Sequence, residues 1–223
     1  MKGVIALTCG ELARYSVFYD SLLNMDKPEG TEIIQSRGVI IAENRSILAE
    51  EAISRGCDWI FYVDDDQVFE KDTLTKLLAR DVDIVSGLYL QKSPPFPPLY
   101  YEERYEDKGL KRSYLETSGM QKVVGVGAGC LLIKTKVFEK LDKPYFRFGS
   151  FGEDFDFCLR AAERGFDIWL DLETPVGHLA TMTIWPMRDD EGWHTKITRG
   201  LDLIDIWPAA FRIKRKEHGN ERH

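Results

Sequence analysis

The chain has 223 residues and a formal net charge of −7 at pH 7, with 43% hydrophobic and 30% charged residues. That is enough for one α/β domain with its own core, or two small domains at most, and the balance is ordinary for a globular protein. No apolar run approaches the roughly 18 residues of a membrane span, and an acidic body argues against a dedicated nucleic-acid-binding domain, whose footprint is a basic patch.

Residues 3–8, "GVIALT", have the length and β-branched content of a buried strand. No small-residue cleavage pattern follows, so the segment reads as a first strand and not a leader. Shorter strand candidates lie at 31–36 and 38–42. From 44 to 55, Ile47, Leu48, Ala52 and Ile53 recur at helical spacing, and Gly56 ends the helix. A strand at 58–63, "DWIFYV", is apolar on both faces, as in a central strand covered by helices. The next helix carries Leu74, Leu77 and Leu78 on one face, with Asp72 or Thr73 at its cap, and residues 82–90 form the following strand. This alternation makes residues 1–90 an α/β unit.

The pattern breaks at 91–121, where four prolines precede aromatic–charged alternation around Asp107, Lys108 and Gly109. A loop and a hairpin insertion are expected there. Residues 122–134 read as a strand punctuated by Gly125, Gly127 and Gly129, followed by a short helix capped by Thr135. A helix then places Phe155, Cys158, Leu159 and Ala162 on one face, and "FDIWLD" supplies another strand. Residues 179–223 look irregular, with Trp185 and Trp193 placed either to pack or to stack on a sugar ring. The whole reads as one domain, 1–223.

Cys9, Cys57, Cys130 and Cys158 form no C-x-x-C pair, so neither a zinc knuckle nor a disulfide framework is indicated. Reduced thiols in a cytoplasmic protein are the expectation. The last 13 residues hold five Lys/Arg against two Glu, a local +3 that leaves −10 on the rest. That tail suits peripheral contact with an anionic membrane surface, although a solvated terminal helix is the simpler reading.

The chemistry concentrates in "WIFYVDDDQVF", where a buried strand runs into Asp64, Asp65 and Asp66. In open α/β sheets ligands sit beyond the carboxyl ends of the strands. Residues i and i+2 of an extended segment point the same way, so Asp64 and Asp66 are expected to converge on one cation, Mg²⁺ or Mn²⁺, which also binds substrate phosphates. A polar turn is the plain alternative. Glu153 and Asp154 are a second acidic pair, suited to general-base work. They also stand at a helix start, where acids are favoured by capping and the macrodipole.

Taken together, "AENRSILAEEAISRGCDWIFYVDDDQVF", "VVGVGAGCLLIKTKVFEKL", "GEDFDFCLRAAERGFDIWLD" and "PVGH" resemble, in order, the blocks of GT-A glycosyltransferases of the family 2-like kind. The resemblance covers roughly residues 3–90 and 122–178; nothing in 91–121 or beyond about 180 matches. It implies a single GT-A, Rossmann-like α/β domain with a mostly parallel sheet flanked by helices. Residues 1–90 would be its nucleotide-binding half and 122–178 its acceptor and catalytic half. It further implies that Asp64 and Asp65 face the ribose and diphosphate of a nucleotide-sugar donor, a UDP-sugar above all. Asp66 is then the principal metal carboxylate and His178 completes the metal site, its nitrogen favouring Mn²⁺ over Mg²⁺. Thr8 and Gly10 would approach the nucleotide and Arg45 the nucleobase or a phosphate, unless Arg45 is a solvent-facing helix residue. Asp154 would be the base of an inverting transfer to an acceptor hydroxyl, with Glu153 on the acceptor. That acceptor is a glycan or another hydroxyl-bearing molecule; a nucleic acid has no support in the sequence beyond the short tail.

Two other functions fit parts of this pattern. A nucleotidyltransferase would carry a Gly-rich basic loop after the first strand, yet "TCGELARY" has one Gly and no Lys. A metal-dependent carbohydrate-binding module would need the cation but no nucleotide.

Overall fold

The computed structural model describes residues 2–9, 16–38, 40–93, 96–101, 103–105, 109–111, 116, 118–181, 183–189, 192–199 and 202–204. Two compact units divide the chain, Met1–Leu179 and Ala180–His223.

The first unit opens with β1 (Gly3–Cys9), α1 (Ser16–Asn24), β2 (Glu32–Arg37), α2 (Ile41–Ser54), β3 (Trp59–Asp64) and β4 (Gln67–Val68). Next come α3 (Thr73–Ala79), β5 (Ile84–Leu88), β6 (Tyr100–Tyr101), β7 (Glu103–Tyr105) and β8 (Gly109–Lys111). β9 (Met120–Val123), β10 (Gly125–Val126), β11 (Cys130–Lys134) and a 3-10 helix (Thr135–Lys140) precede α4 (Glu153–Glu163), β12 (Ile168–Pro175) and β13 (Gly177–His178).

Seven strands form the central sheet in the order β2-β1-β3-β11-β5-β12-β9. β2, β1, β3, β5 and β12 run one way; β11 and β9 run against their neighbours. Alternation along β3 sends Ile60 and Tyr62 to one face and Trp59, Phe61 and Val63 to the other. The first face packs on Leu48, Ala49 and Ala52 of α2 and on Phe157, Cys158 and Ala161 of α4. The second packs on Phe18 and Leu22 of α1 and on Leu74 and Leu77 of α3. A mostly parallel sheet covered on both faces is the α/β architecture expected. The hairpin expected in the insertion forms as β7 against β8.

Five local expectations are corrected. Residues 38–42 are not a strand: α2 begins at Ile41, because the Asn44 amide donates to the Gly38 carbonyl and accepts from the Ser36 hydroxyl, fixing the turn into the helix. The buried side of α2 carries Ala42, Asn44, Arg45, Ser46, Leu48, Ala49 and Ala52, while Ile47 and Ile53 face solvent. On α4 the core residues are Phe155, Phe157, Cys158 and Ala161, and Ala162 is exposed. Phe157 stacks on Phe146 at 4.6 Å, which turns the helix by about one residue from the expected face. Residues 122–134 form three separate strands, not one. Finally, the part of the second unit that is described is not irregular but a three-stranded antiparallel sheet, β14 (Thr183–Asp189), β15 (Gly192–Arg199) and β16 (Asp202–Ile204).

Cys57, Cys130 and Cys158 are buried and unbonded. Among the described residues no helix is long and apolar enough to cross a membrane. The basic residues 211–223 lie outside the described residues.

Candidate active site

β3 is buried until Asp64 and then turns sharply through Asp65 and Asp66 into β4. The turn undoes the geometry expected of an extended D-x-D, because residues i and i+2 share a side only in a strand. Asp64 instead gives both carboxylate oxygens to Arg45, whose Nη2 lies 2.8 and 3.0 Å away. Asp66 faces a different pair, the Lys92 ammonium and His178 Nε2, the latter at 3.4 Å. Burial pushes the Asp66 pKa up, but His178 and Lys92 outweigh it and hold the carboxyl below its ordinary range. Asp65 is partly exposed at the tip of the turn.

His178 reaches this turn because β13 pairs with β4, setting His178 opposite Gln67. The Leu179 amide also donates to the Asp66 carbonyl at 2.8 Å, closing the turn from below. His178 Nδ1 lies 2.7 Å from the Leu90 carbonyl, which can only accept, so Nδ1 carries a hydrogen and Nε2 is the nitrogen turned to Asp66. The Tyr89 ring meets the imidazole edge-on at 5.5 Å and fixes its plane. A carbonyl on the ring nitrogen that points away from the site is how a ligating histidine is usually held.

Arg45 is the hub of the site. It is 2% exposed, and its Nη1 pairs with Glu153 while its Nη2 holds Asp64. Burial works against its charge, but Asp64, Asp154 and Glu153 together hold the guanidinium above its usual range. The solvent-facing alternative is therefore excluded. The residue expected at a nucleobase or phosphate is occupied by two carboxylates of the chain itself.

Glu153 and Asp154 open α4, directly after Gly152, whose φ of +101° is a conformation that L side chains rarely adopt. Glu153 is buried against Arg45. Asp154 accepts from its neighbour's backbone, the Phe155 amide at 2.9 Å. Burial, with Glu153 and Asp64 adding to it and Arg45 opposing, raises its pKa to about 6. A helix start lowers a carboxylate's pKa; here burial wins.

Thr8, the last but one residue of β1, stands in register with Asp64, and its buried hydroxyl has no hydrogen-bond partner among the described residues. Gly10 lies outside the described residues. The glycines of 125–129 leave room for the chain's own side chains. A Cβ on Gly125 would meet Phe155 at 2.6 Å, one on Gly127 the Tyr89 hydroxyl at 2.2 Å, and one on Gly129 the Gln67 amide at 2.8 Å.

Three residues here escaped the sequence reading. Lys92 lies in the proline-rich insertion with no motif around it. Tyr89 directly follows β5 as an ordinary apolar residue would, yet its hydroxyl accepts from the Gly129 amide at 3.0 Å. Gln67 is wholly buried, with both amide atoms unpartnered among the described residues; its only signal was its place directly after three aspartates. Among the described residues no three His, Cys, Asp or Glu side chains converge as a ready-made cation cage. A cavity of about 420 Å³, lined by Trp59, Leu77 and Lys134, opens at the other end of β3, away from the carboxylates.

No family model and no curated protein matches the chain. Among solved structures it is similar to A197 from STIV, with a TM-score of 0.62 and 19% identity over 81% of this chain and 87% of that one. It is also similar to GalNAc-T7, solved with UDP, GalNAc and Mn²⁺ (TM-score 0.56, 12% identity, 79% of this chain, 43% of that one). TarS of S. aureus is a third (TM-score 0.51, 12% identity, 79% and 36%). The chain spans less than half of each of the last two. At these identities the likeness is one of fold, and the fold is the mixed α/β, Rossmann-like fold of the GT-A glycosyltransferases.

Proposed function

We propose that the chain is a glycosyltransferase that moves a sugar from a nucleoside diphosphate sugar, a UDP-sugar, to an acceptor hydroxyl with inversion, and that it depends on a divalent cation. The observation that carries this reading is the Arg45 bridge, which joins Asp64 at the end of β3 to Glu153 at the start of α4. The structural likeness to a protein solved with UDP, GalNAc and Mn²⁺ supports the donor class.

Asp66 and His178 are the residues that would hold the cation. One carboxylate and one open imidazole nitrogen, completed by diphosphate oxygens, are a donor set that suits Mn²⁺ in particular. Such an ion supplies neutralisation of the charge that builds on the departing diphosphate. The rest falls to the chain. Arg45 fixes the Asp64 carboxylate in place beside Thr8, where the ribose and diphosphate are expected, with Asp65 at the rim. Asp154 takes the proton of the acceptor hydroxyl as its oxygen attacks the anomeric carbon, and the bonding pair leaves with the diphosphate. Glu153, held by Arg45, keeps the start of α4 from shifting.

UDP is expected to bind only in the presence of a divalent cation, and Asp66→Asn to weaken that dependence most among Asp64–Asp66. Calorimetry with UDP, with Mn²⁺ or EDTA, is the test. Equal UDP affinity in both media would remove the cation-dependent reading, and cation-dependent binding of free sugar without UDP would favour a carbohydrate-binding module.

His178→Ala is expected to raise the Mn²⁺ concentration for half-saturation roughly 10–100-fold, the range seen when a metal site loses a supporting group. The thermal midpoint of the metal-free protein should hardly move, because the ring's contacts are few: the Leu90 carbonyl, the Tyr89 ring and the partly exposed Asp66. A collapse of that midpoint with unchanged Mn²⁺ demand would assign His178 to packing.

A further inference from the structure

We propose that Lys92 is a built-in counter-ion that holds the cation position beside Asp66 and moves to the donor's diphosphate when a divalent cation enters. The inference rests on the reading of the donor as a nucleoside diphosphate sugar. Its basis is a single segment with two functions. Leu90, just past β5, supplies the carbonyl that orients His178, and two residues later Lys92 supplies the ammonium on Asp66. The three side chains are 24%, 23% and 17% exposed for Lys92, Asp66 and His178, so the pair is shielded from the screening that makes surface ion pairs weak.

The backbone under Lys92 is tied down. Leu90 bridges Pro98, the Gln91 amide donates to the Pro97 carbonyl at 2.8 Å, and the Phe96 amide donates to the Ser93 carbonyl at 2.9 Å. The stem above it is four flexible carbons carrying a point charge with three donors and no acceptor. An ammonium and a divalent ion cannot share one carboxylate at contact distance without strong repulsion. The cation therefore displaces Lys92, and the nearest new anion within the sweep of its stem is the diphosphate that arrives with the cation. In the absence of donor, Lys92 keeps Asp66 neutralised and disfavours an idle metal ion. With donor present, the same ammonium adds a positive charge on the leaving group. Cation and nucleotide are thereby coupled, each raising the other's affinity by the same factor.

The test measures Mn²⁺ binding by electron paramagnetic resonance and UDP binding by calorimetry, on the full chain and on Lys92→Met, which keeps the length of the stem. Without nucleotide, Lys92→Met is expected to bind Mn²⁺ about tenfold more tightly, because the competing ammonium is gone. With saturating Mn²⁺ it is expected to bind UDP about tenfold more weakly, the loss of one charge-assisted contact. Lys92→Arg keeps the charge and should stay near wild type in Mn²⁺ affinity; Lys92→Gln replaces the methionine variant if that one does not fold. Unchanged or weaker Mn²⁺ binding in the neutral variants, with UDP binding still cation-dependent, overturns the counter-ion and leaves the proposed function standing. UDP binding that is indifferent to Mn²⁺ in the wild type overturns the proposed function, and the counter-ion with it.

Discussion

Replacing Arg45 by methionine is expected to cost about 3–5 kcal/mol of folding stability, the range for breaking a buried ion pair from one side. The cost arises less from lost attraction than from what remains. Asp64 and Glu153, with side chains only 26% and 11% exposed, would face each other with no positive charge between them. Methionine preserves much of the stem packing, and Tyr62 keeps its hydrogen bond to the Arg45 backbone carbonyl, since that bond does not involve the side chain. For a chain of this size the loss corresponds to roughly 10 °C in the thermal midpoint, at about 2–4 °C per kcal/mol. Arg45→Lys should recover only part, because one ammonium cannot fork between two carboxylates as a guanidinium does. Denaturant unfolding of the three proteins checks this. A loss below 1 kcal/mol, with UDP affinity sharply reduced instead, would return Arg45 to the nucleotide contact read from the sequence.

The frame was legible because its signal is redundant. The first five residues of β3, apolar on both faces, and the strand–helix alternation of residues 1–90 each point to a helix-covered parallel sheet, and so does the sheet that forms. The site was legible as a list of acids but not as an arrangement. Asp64, Asp66, Glu153 and Asp154 were visible as charges at element ends. That Asp64 and Asp66 turn to different partners depends on the bend at Asp65, which the sequence offered only as the plain alternative of a polar turn. Arg45 shows the limit most clearly. Its neighbours at helical spacing, Ile47, Leu48, Ala52 and Ile53, suggested an apolar stripe that left Arg45 outside. The burial is decided instead by two carboxylates 19 and 108 residues away. Lys92 was invisible for the same reason: a lysine among prolines acquires meaning only when the fold sets Asp66 beside it.

Asp154→Asn is expected to lower the transfer rate by about 10²–10⁴, the usual cost of losing a general base, while leaving UDP affinity within a few-fold of wild type. The structure adds a signature that a capping residue would not give. In the folded chain burial raises the Asp154 pKa to about 6, against about 3.9 for an unfolded aspartate. Between those values the folded state still holds a proton that the unfolded state has released. Stability therefore falls as pH rises through that window, and the deficit persists above about pH 6. Asparagine removes the titration but keeps the side chain's size. The variant should accordingly be more stable than wild type at pH 7, by about 1–3 kcal/mol, and lose that advantage by about pH 4. The wild-type rate should climb with pH through about 6 as the base is freed, and the residual rate of the variant should not. Rate, donor affinity and unfolding free energy, each measured from pH 4 to 8, separate the roles. A variant that is both less stable at pH 7 and within a few-fold of wild-type rate would make Asp154 a cap. A variant that is more stable and far slower would make it a group held at a cost to folding for the sake of its proton affinity, the pattern found where stability is traded for activity.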